Sequence, residues 1–526
     1  MPPIGLAHEQ RKITDRFVCH FNCTVLSFVS RMSLTSKQTS PLPFRSLFWS
    51  LLERIGALGI QVLVGIVLAR ILSPKEFGLL AMVSVFIAVG TLLTDSGFGT
   101  ALLRLVSPTP EQSASVFYFN LAVSVFCAAI LCAASGAIAA FFRTPELRLV
   151  VCAMSLALVF NSLGLVQTVM LTRLLNFRDQ ARATVPAAAI SGVVAVFLAW
   201  FGWGVWALVV QTLLSSLLRS ILLWQVNSWR PQTGFSLSAM RGLFGFSCRL
   251  LASGGLDMAF NQVYPLVIGR LYEARQLGLY NLAQQFQQLP VAVVTSVYSR
   301  VNFPMMSGAQ EVASRLVQVF RQALQFLSAA IVLIMCCLFV SAENVVVLLV
   351  GPQWRDCVPY LRIMCLLGLL VPVHLINLDL LRVKGRSDLF LRLEIIKKAL
   401  GVLALLVTWR FGVKALLWGQ VAVSLVALVV NTYYTGQLVD YGFVRQMRDL
   451  GGTFGAGALA AAAGWGIRNS VVAPPWVLVA LASAVTGILF ILLMAVFNRP
   501  GFYICRDSLY ISELLIRFRR KCSPAL

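Results

Sequence analysis

Apolar stretches of roughly 20 residues, the length of a helix that crosses a bilayer, alternate with short polar connections along most of the chain. Residues that end helices, such as Pro74, Pro145 and Gly385, stand in the connections. The alternating segments of ~10 residues typical of a membrane barrel do not occur. The pattern therefore predicts an all-α polytopic membrane protein whose 14 spans cover 47–71, 77–99, 115–141, 147–170, 180–202, 204–227, 243–270, 277–299, 318–341, 357–382, 388–410, 412–436, 450–468 and 474–497.

Two segments that lie 200 residues apart resemble each other without a gap. Residues 67–80 read VLARILSPKEFGLL, and residues 267–280 read VIGRLYEARQLGLY. The copies share their first valine, the arginine at the fourth position and the glycine at the twelfth. The offset equals six predicted spans, an even number, so both copies have the same orientation. We therefore expect two six-helix bundles related by a parallel repeat, followed by two more helices, a plan typical of transporters.

Composition and charge refine this organisation. Charged residues make up only 12% of the chain, against about 25% in soluble domains. The net charge is +23 and both tails are basic, so the positive-inside rule predicts that both termini are cytoplasmic, although the loops alone lean only slightly that way. The predicted units are a basic N-terminal tail (1–46), an N-lobe (47–227), a C-lobe (243–436), spans 13–14 (450–497) and a basic C-terminal tail (498–526). Nucleic acid is not expected as a partner, because no folded binding module accompanies these charges.

The first 31 residues are expected to be a dispensable extension or a misassigned start, with Met32 as the alternative first residue. They contain Cys19, His20 and Cys23, too few ligands to favour a metal site. The cysteines within apolar stretches behave as small hydrophobic residues. The sequence has no metalloprotease, serine-hydrolase or phosphate-loop motif, so we expect no catalytic centre, no metal and no cofactor.

Ionisable and polar residues at membrane depth mark the candidate site, because they are costly there and usually face an interior cavity. In span 7, Asp257, Asn261 and Tyr264 share one helix face, with Arg249 two turns earlier. Carboxylate, amide and phenol groups suit sugar hydroxyls and proton coupling. A structural contact with a neighbouring helix is the alternative for Asp257.

Span 8 adds a second polar face. Tyr280, Gln284, Gln287 and Gln288 recur at helical spacing before Pro290. Amides and aromatic faces suit a polar ligand such as a sugar, but glutamines also form hydrogen bonds between membrane helices.

Four further candidates lie in the predicted N-lobe. Arg54 and Asp95 are expected at similar depth and could pair, and Gln61 continues the face of Arg54. Snorkelling to the interface is the alternative. Arg219 in span 6 could meet an anionic ligand or hold the lobe together.

Span 11 is the least hydrophobic of the 14 predicted spans. It is expected to contain a Glu394–Lys398 pair and cations that attract pyrophosphate or anionic lipid. Location at the surface of the inner leaflet is the alternative.

Several stretches resemble a known family, in the family's order. They are Leu68–Gly78, Asp95–Arg104, Gly278–Pro290, Arg300–Pro304, Gly351–Trp354 and Lys384–Leu389. The chain resembles the polysaccharide transporters of the multidrug/oligosaccharidyl-lipid/polysaccharide flippase superfamily, close to flippases of the colanic acid exporter type. The resemblance covers spans 1–11.

The resemblance implies a V-shaped pair of bundles in the bacterial inner membrane that moves undecaprenyl-diphosphate-linked oligosaccharide between leaflets by alternating access. It implies a cation-lined cavity for the diphosphate, for which Arg54, Arg219, Arg249 and Asp257 are candidates. Implied partners are the lipid-linked oligosaccharide, membrane lipids and a chain polymerase or other assembly proteins.

Two other functions are compatible with a polytopic helical protein. A drug or cation antiporter of the same superfamily would be expected to have an acidic cavity, whereas cations outnumber carboxylates here. A membrane glycan polymerase or ligase would need a large outer loop, and the longest one predicted has about 15 residues, between spans 9 and 10.

Overall fold

The computed structural model describes residues 44–105, 107–232 and 234–497, and within them every regular element is a helix. The helices are α1 (Phe44–Ile71), α2 (Pro74–Asp95), α3 (Phe98–Arg104), α4 (Pro110–Phe142), α5 (Leu147–Arg173), α6 (Phe177–Trp200), α7 (Val205–Val226), α8 (Leu237–Leu271), α9 (Ala274–Gly308), α10 (Ala313–Val350), a 3-10 helix (Pro352–Cys357), α11 (Val358–Val383), α12 (Ser387–Thr408), α13 (Val413–Val439), α14 (Phe443–Ser470) and α15 (Pro475–Phe497).

Each of the 14 predicted spans corresponds to one long helix. Ten helical segments in the described residues are long and apolar enough to cross a membrane. The multi-span helical fold is therefore confirmed. The predictions for residues 1–43 and 498–526 concern parts of the chain outside the described residues.

Local sequence explains where α2 begins. Ser73 precedes the helix and Glu76 lies three residues later, which is the spacing of a capping box. The backbone N–H of Ser73 donates to Glu76 Oε2 at 2.6 Å, and Pro74 occupies the first turn, where no backbone donor is needed. The polar turn therefore ends one membrane helix and starts the next.

The predicted span 77–99 extends too far. Ser96 and Gly97 have φ values of 46° and 72°, in the left-handed region that ends a helix, so α2 stops at Asp95. The short helix α3 follows. The backbone N–H of Gly99, in the first turn of α3, donates a hydrogen bond to Asp95. The break between α2 and α3 changes the direction of the chain, so that α3 lies next to helix α8 of the C-lobe.

The predicted 15-residue loop between spans 9 and 10 is wrong. Helix α10 continues to Val350, and a 3-10 helix fills most of the remaining connection. Glu343 lies on this extra helical length and accepts a hydrogen bond from Arg355 Nε at 2.8 Å. This ion pair spans the turn and helps to stabilise a helix and a tight turn in a segment where composition alone predicts a loop.

The helices form the two expected bundles. In the N-lobe (α1–α7), α4 packs on α5, α6 on α7 and α1 on α6; in the C-lobe (α8–α13), α10 packs on α11 and α11 on α13. Helices α14 and α15 pack on each other and on α10. The lobes meet mainly where α2 lies against α9 and α8.

Both copies of the repeated segment lie at one end of this interface, which we call the repeat end (residues 70–78 and 270–278). A side chain on Gly78 would overlap the carbonyl oxygen of Ala274, and one on Gly278 would overlap that of Pro74. The two contacts are reciprocal and keep the offset of 200 residues. Only glycine allows the backbones of α2 and α9 to approach so closely, and the parallel repeat is confirmed.

Candidate functional site

A cavity of about 390 Å³ lies between the lobes, directly beneath the glycine crossing of the repeat end. Helix α2 of the N-lobe contributes only small side chains to its wall, and α8 and α9 of the C-lobe contribute the polar ones. This interlobe cavity is lined by Ala81, Ser84, Asn261, Gln262, Pro265, Leu277, Tyr280, Asn281, Gln284 and Gln288.

Five of the lining side chains are carboxamides, and none is charged at neutral pH. The five amides make no hydrogen bond with any other residue in the described part of the chain. They are also absent from the fully buried polar atoms, so they face open space. A polar group in such a position is satisfied by water or by a ligand.

Helical periodicity explains how α9 forms its part of the wall. Leu277, Asn281, Gln284 and Gln288 are separated by four, three and four residues, which places them on one face. Gln287 lies on another face, is only 9% exposed and approaches α11 at Gly368. Of the glutamines predicted in this span, Gln284 and Gln288 therefore line the interlobe cavity and Gln287 does not.

Tyr280 joins this wall to the interior of the C-lobe. It is 3% exposed, and its side chain is hydrogen-bonded to Gln420 of α13. Gln420 is also hydrogen-bonded to Tyr264 of α8. The phenol is therefore engaged within the lobe, and Tyr280 offers its ring to the cavity.

A second cavity of about 330 Å³ lies within the C-lobe. This C-lobe cavity is lined by Tyr264, His374, Lys397, Gly401, Gln420, Val423, Ser424 and Ala427. The His374 ring forms hydrogen bonds on both sides, Nε2 with Ser424 Oγ at 2.9 Å and Nδ1 with Asn431 at 3.0 Å. Gln420 lines this cavity and is hydrogen-bonded to Tyr280, which lines the interlobe cavity. Neither Gln420 nor the pairing of His374 with Ser424 has a signal in the sequence, because both depend on the packing of α11 against α13.

The structure divides the predicted polar face of span 7. Asn261 lines the interlobe cavity, whereas Tyr264 faces α12, where its hydroxyl donates to the carbonyl of Gly401 at 3.4 Å. Asp257 also faces α12 and pairs with Lys398, whose side chain is 12% exposed while that of Asp257 is 64% exposed.

The predicted Glu394–Lys398 pair is therefore wrong. Glu394 pairs with Lys397 instead, and Lys398 reaches across to Asp257 on α8. The interhelical partner takes Lys398 away from its own helix, which periodicity within α12 alone does not predict.

The predicted cations lie away from the interlobe cavity. Arg249 is exposed, its Nε donates to the carbonyl of Gly245 at 2.9 Å, and it lies about 18 Å along the axis of α8 from Asn261. Arg219 lies within the N-lobe near the carboxylate of Glu53.

The other N-lobe candidates are also separate from the cavity wall. Gln61 is exposed on α1, and Asp95 lies at the start of the break before α3. The side chain of Arg54 lies outside the described residues, so its predicted pair with Asp95 stays a prediction.

The lobes also touch at the end remote from the repeat, which we call the opposite end (residues 97–104 and 240–250). The rings of Phe98 and Phe244 are 6.0 Å apart, and Arg104 lies 5.0 Å from the ring of Phe246. The interlobe cavity therefore lies between a backbone contact at the repeat end and aromatic side chains at the opposite end.

Known proteins resemble the chain in sequence and in fold. The family model described as polysaccharide biosynthesis protein matches residues 67–359. The succinoglycan biosynthesis transport protein ExoT of Rhizobium meliloti is 30% identical over 62% of this chain and 67% of its own length. The lipopolysaccharide biosynthesis protein WzxC of Escherichia coli is 24% identical over 74% of this chain and 78% of its own length.

Solved structures share the architecture. The lipid II flippase MurJ in an inward closed conformation superimposes with a TM-score of 0.68 at 10% identity, over 87% of this chain and 99% of that one. A multidrug resistance transporter of the MATE family in an inward-facing conformation gives 0.57 at 14% identity, over 74% and 94%. At these identities the likeness shows the fold alone.

ExoT is named as a transport protein and WzxC as a lipopolysaccharide biosynthesis protein. The family match covers more than half of the 526 residues. The chain belongs to the polysaccharide biosynthesis protein family.

Proposed function

We propose that this protein is a flippase that carries undecaprenyl-diphosphate-linked oligosaccharide across the bacterial cytoplasmic membrane for surface polysaccharide synthesis. The single observation that carries the proposal is the interlobe cavity, whose five carboxamides form no hydrogen bond with another described residue. Each amide offers two donors and an acceptor, which match the hydroxyl groups of a sugar. The cavity lies between two lobes that touch at both ends, as alternating access requires.

Orientation follows from the basic tails. With both termini in the cytoplasm, the repeat end faces outward and the opposite end faces the cytoplasm. Arg249 is an exposed cation towards that opposite end, so we assign it to the diphosphate outside the cavity and the amides to the glycan. Arg54 and Arg219 are weaker candidates for the diphosphate, whereas Asp257, which pairs with Lys398, is a candidate for proton coupling. A chain polymerase in the same membrane is the expected recipient of the product.

The two alternative functions have less support. A cation antiporter would need a carboxylate in the cavity wall, and the wall has none. A polymerase or ligase would need a large outer loop, and the longest predicted loop is mostly helix.

The test is a flipping assay with purified protein in proteoliposomes. An undecaprenyl-diphosphate-linked disaccharide is incorporated, and its transfer is followed by oxidation with periodate added outside the vesicles. The wild-type protein is expected to expose the inner pool of this lipid. The double variant Asn281→Leu/Gln284→Leu should lose most of this activity, and Gln437→Leu, an exposed glutamine of α13 remote from the cavity, should retain it. No transfer by the folded wild-type protein would contradict the proposal.

A further inference from the structure

The interlobe cavity differs from a general polar cavity in the chemistry of its wall. Its hydrogen-bonding groups are one hydroxyl of Ser84, five carboxamides and an aromatic ring whose own phenol is already bonded to Gln420. A carboxamide donates and accepts with similar ease, as a sugar hydroxyl does. Neither a fixed cation nor a fixed anion contributes to the wall.

Charges near the cavity are directed elsewhere. Asp257 is one turn from Asn261 on α8, yet it pairs with Lys398 on the α12 side. Lys397 lies in the C-lobe cavity and pairs with Glu394. The wall is therefore without charge because the neighbouring ion pairs lie on the other faces of α8 and α12.

A sugar carboxylate that entered the interlobe cavity would lose part of its hydration without gaining a cation as its partner. Burial of an unpaired charge is far more costly than burial of a hydroxyl that finds a donor and an acceptor. The same wall accepts a hydroxyl or an acetamido group at little cost, because each can form hydrogen bonds with the amides of Asn281 and Gln284.

From this wall we infer that the interlobe cavity selects the glycan by charge and takes uncharged sugar units, with Gln284 and Gln288 as residues that determine this specificity. The inference rests on the proposed function and adds the class of sugar that the protein transfers. Sugar units with a carboxylate are the class that it rejects. The diphosphate is common to both classes of undecaprenyl-diphosphate-linked substrate, so it does not contribute to this selection.

The experiment compares two lipids in the same proteoliposomes. One is undecaprenyl-diphosphate-linked N-acetylglucosaminyl-glucose, and the other is the matched lipid in which glucuronate replaces glucose. We expect the wild-type protein to transfer the neutral lipid at least about tenfold faster than the lipid with glucuronate. Gln284→Lys should raise the ratio of glucuronate to glucose transfer, because it supplies the missing cation.

Gln288→Lys is a second variant, since Gln288 is exposed to the cavity and tolerates a longer side chain. Gln437→Lys adds the same charge on the surface of α13 and should leave the ratio unchanged. Equal transfer of both lipids by the wild-type protein, or an unchanged ratio in both cavity variants when they are folded and inserted, would overturn the inference but leave the flippase proposal intact. Transfer of neither lipid by the folded wild-type protein would overturn both.

Discussion

The lobes contact each other through backbone atoms at one end of their interface and through aromatic side chains at the other. At the repeat end, Gly78 and Gly278 bring the backbones of α2 and α9 together, with no side chain between them. At the opposite end, the rings of Phe98 and Phe244 make the contact across a break in the helix. A backbone contact permits little adjustment, whereas the ring of Phe244, which is 50% exposed, can change rotamer. The difference indicates that the opposite end opens at lower cost.

The repeat end also differs between its two copies. Arg70 Nε donates to the carbonyl of Leu349 at 2.7 Å, and the guanidinium also reaches Leu348, at the end of α10 where the helix dipole favours a cation. Its counterpart Arg270 lies 5.1 Å from the ring of Phe141 near the end of α4, and its Nη1 has no hydrogen-bond partner among the described residues. The repeat therefore preserves the crossing but not the side-chain contacts around it.

The largest effect is expected from a side chain at the crossing. Gly78→Ala would overlap the backbone of α9, so we expect it to lower the free energy of unfolding by about 1–3 kcal/mol. Labelling of an Asn261→Cys reporter from the repeat end should also increase. The matched control is Gly59→Ala on α1, where no atom lies within 4 Å and a gain of about 0.5–1 kcal/mol is expected. Equal melting temperatures for the two variants would contradict a tight crossing.

The next prediction compares Arg70 and Arg270, which occupy equivalent positions in the two copies but are expected to contribute differently to stability. Arg70→Gln should destabilise the protein by about 1.5 kcal/mol, because two carbonyl groups at the end of α10 lose a charged donor. Arg270→Gln should have a smaller effect, since one of its donors is already unpartnered. Thermal unfolding in detergent measures both. A larger loss of stability for Arg270→Gln than for Arg70→Gln would contradict this asymmetry between the two copies.

A smaller effect is expected at the opposite end. Phe244→Ala removes one ring of the aromatic contact from a side chain that is 50% exposed, and about 1 kcal/mol should be lost. Labelling of the Asn261→Cys reporter should rise from the opposite end only. Phe197→Ala on α6, with 55% exposure, is the control and should leave labelling unchanged. A rise in labelling from both ends would show that the two contacts do not open separately.

The smallest effect tests the helix starts of the two copies. Ser73 and Glu76 form a capping box before α2, whereas Glu273 precedes α9 without a side-chain cap. Glu273→Ser would place a hydroxyl at the N-cap position, where it can accept a hydrogen bond from the backbone N–H of Gln276, and should stabilise the protein by about 0.5 kcal/mol. Ser73→Ala should destabilise it by a similar amount. A loss of stability in Glu273→Ser would show that the second copy depends on the glutamate itself.

The sequence predicts much of this fold because span length and helix-breaking residues predict the 14 long helices, of which ten among the described residues are apolar enough to cross a membrane, and the repeat predicts two bundles. It does not predict the left-handed pair Ser96 and Gly97 or the continuation of α10 to Val350, since one depends on two backbone conformations and the other on an ion pair across a turn. Periodicity predicts that Gln284 and Gln288 share a face of α9, and both line the interlobe cavity, whereas the structure divides the predicted face of Asp257, Asn261 and Tyr264. Asp257 on α8 pairs with Lys398 on α12, and a pattern within one helix does not reveal such a contact between side chains of two helices.

The central claim is that the two ends open in alternation around the interlobe cavity. Electron spin resonance distances test it most directly, with spin labels on Lys75→Cys and Arg275→Cys at the repeat end and on Thr100→Cys and Arg241→Cys at the opposite end, all exposed positions. When an undecaprenyl-diphosphate-linked disaccharide is added in proteoliposomes, one distance should lengthen as the other shortens. Two distances that lengthen together, or that both stay unchanged while the lipid is transferred, would contradict the account.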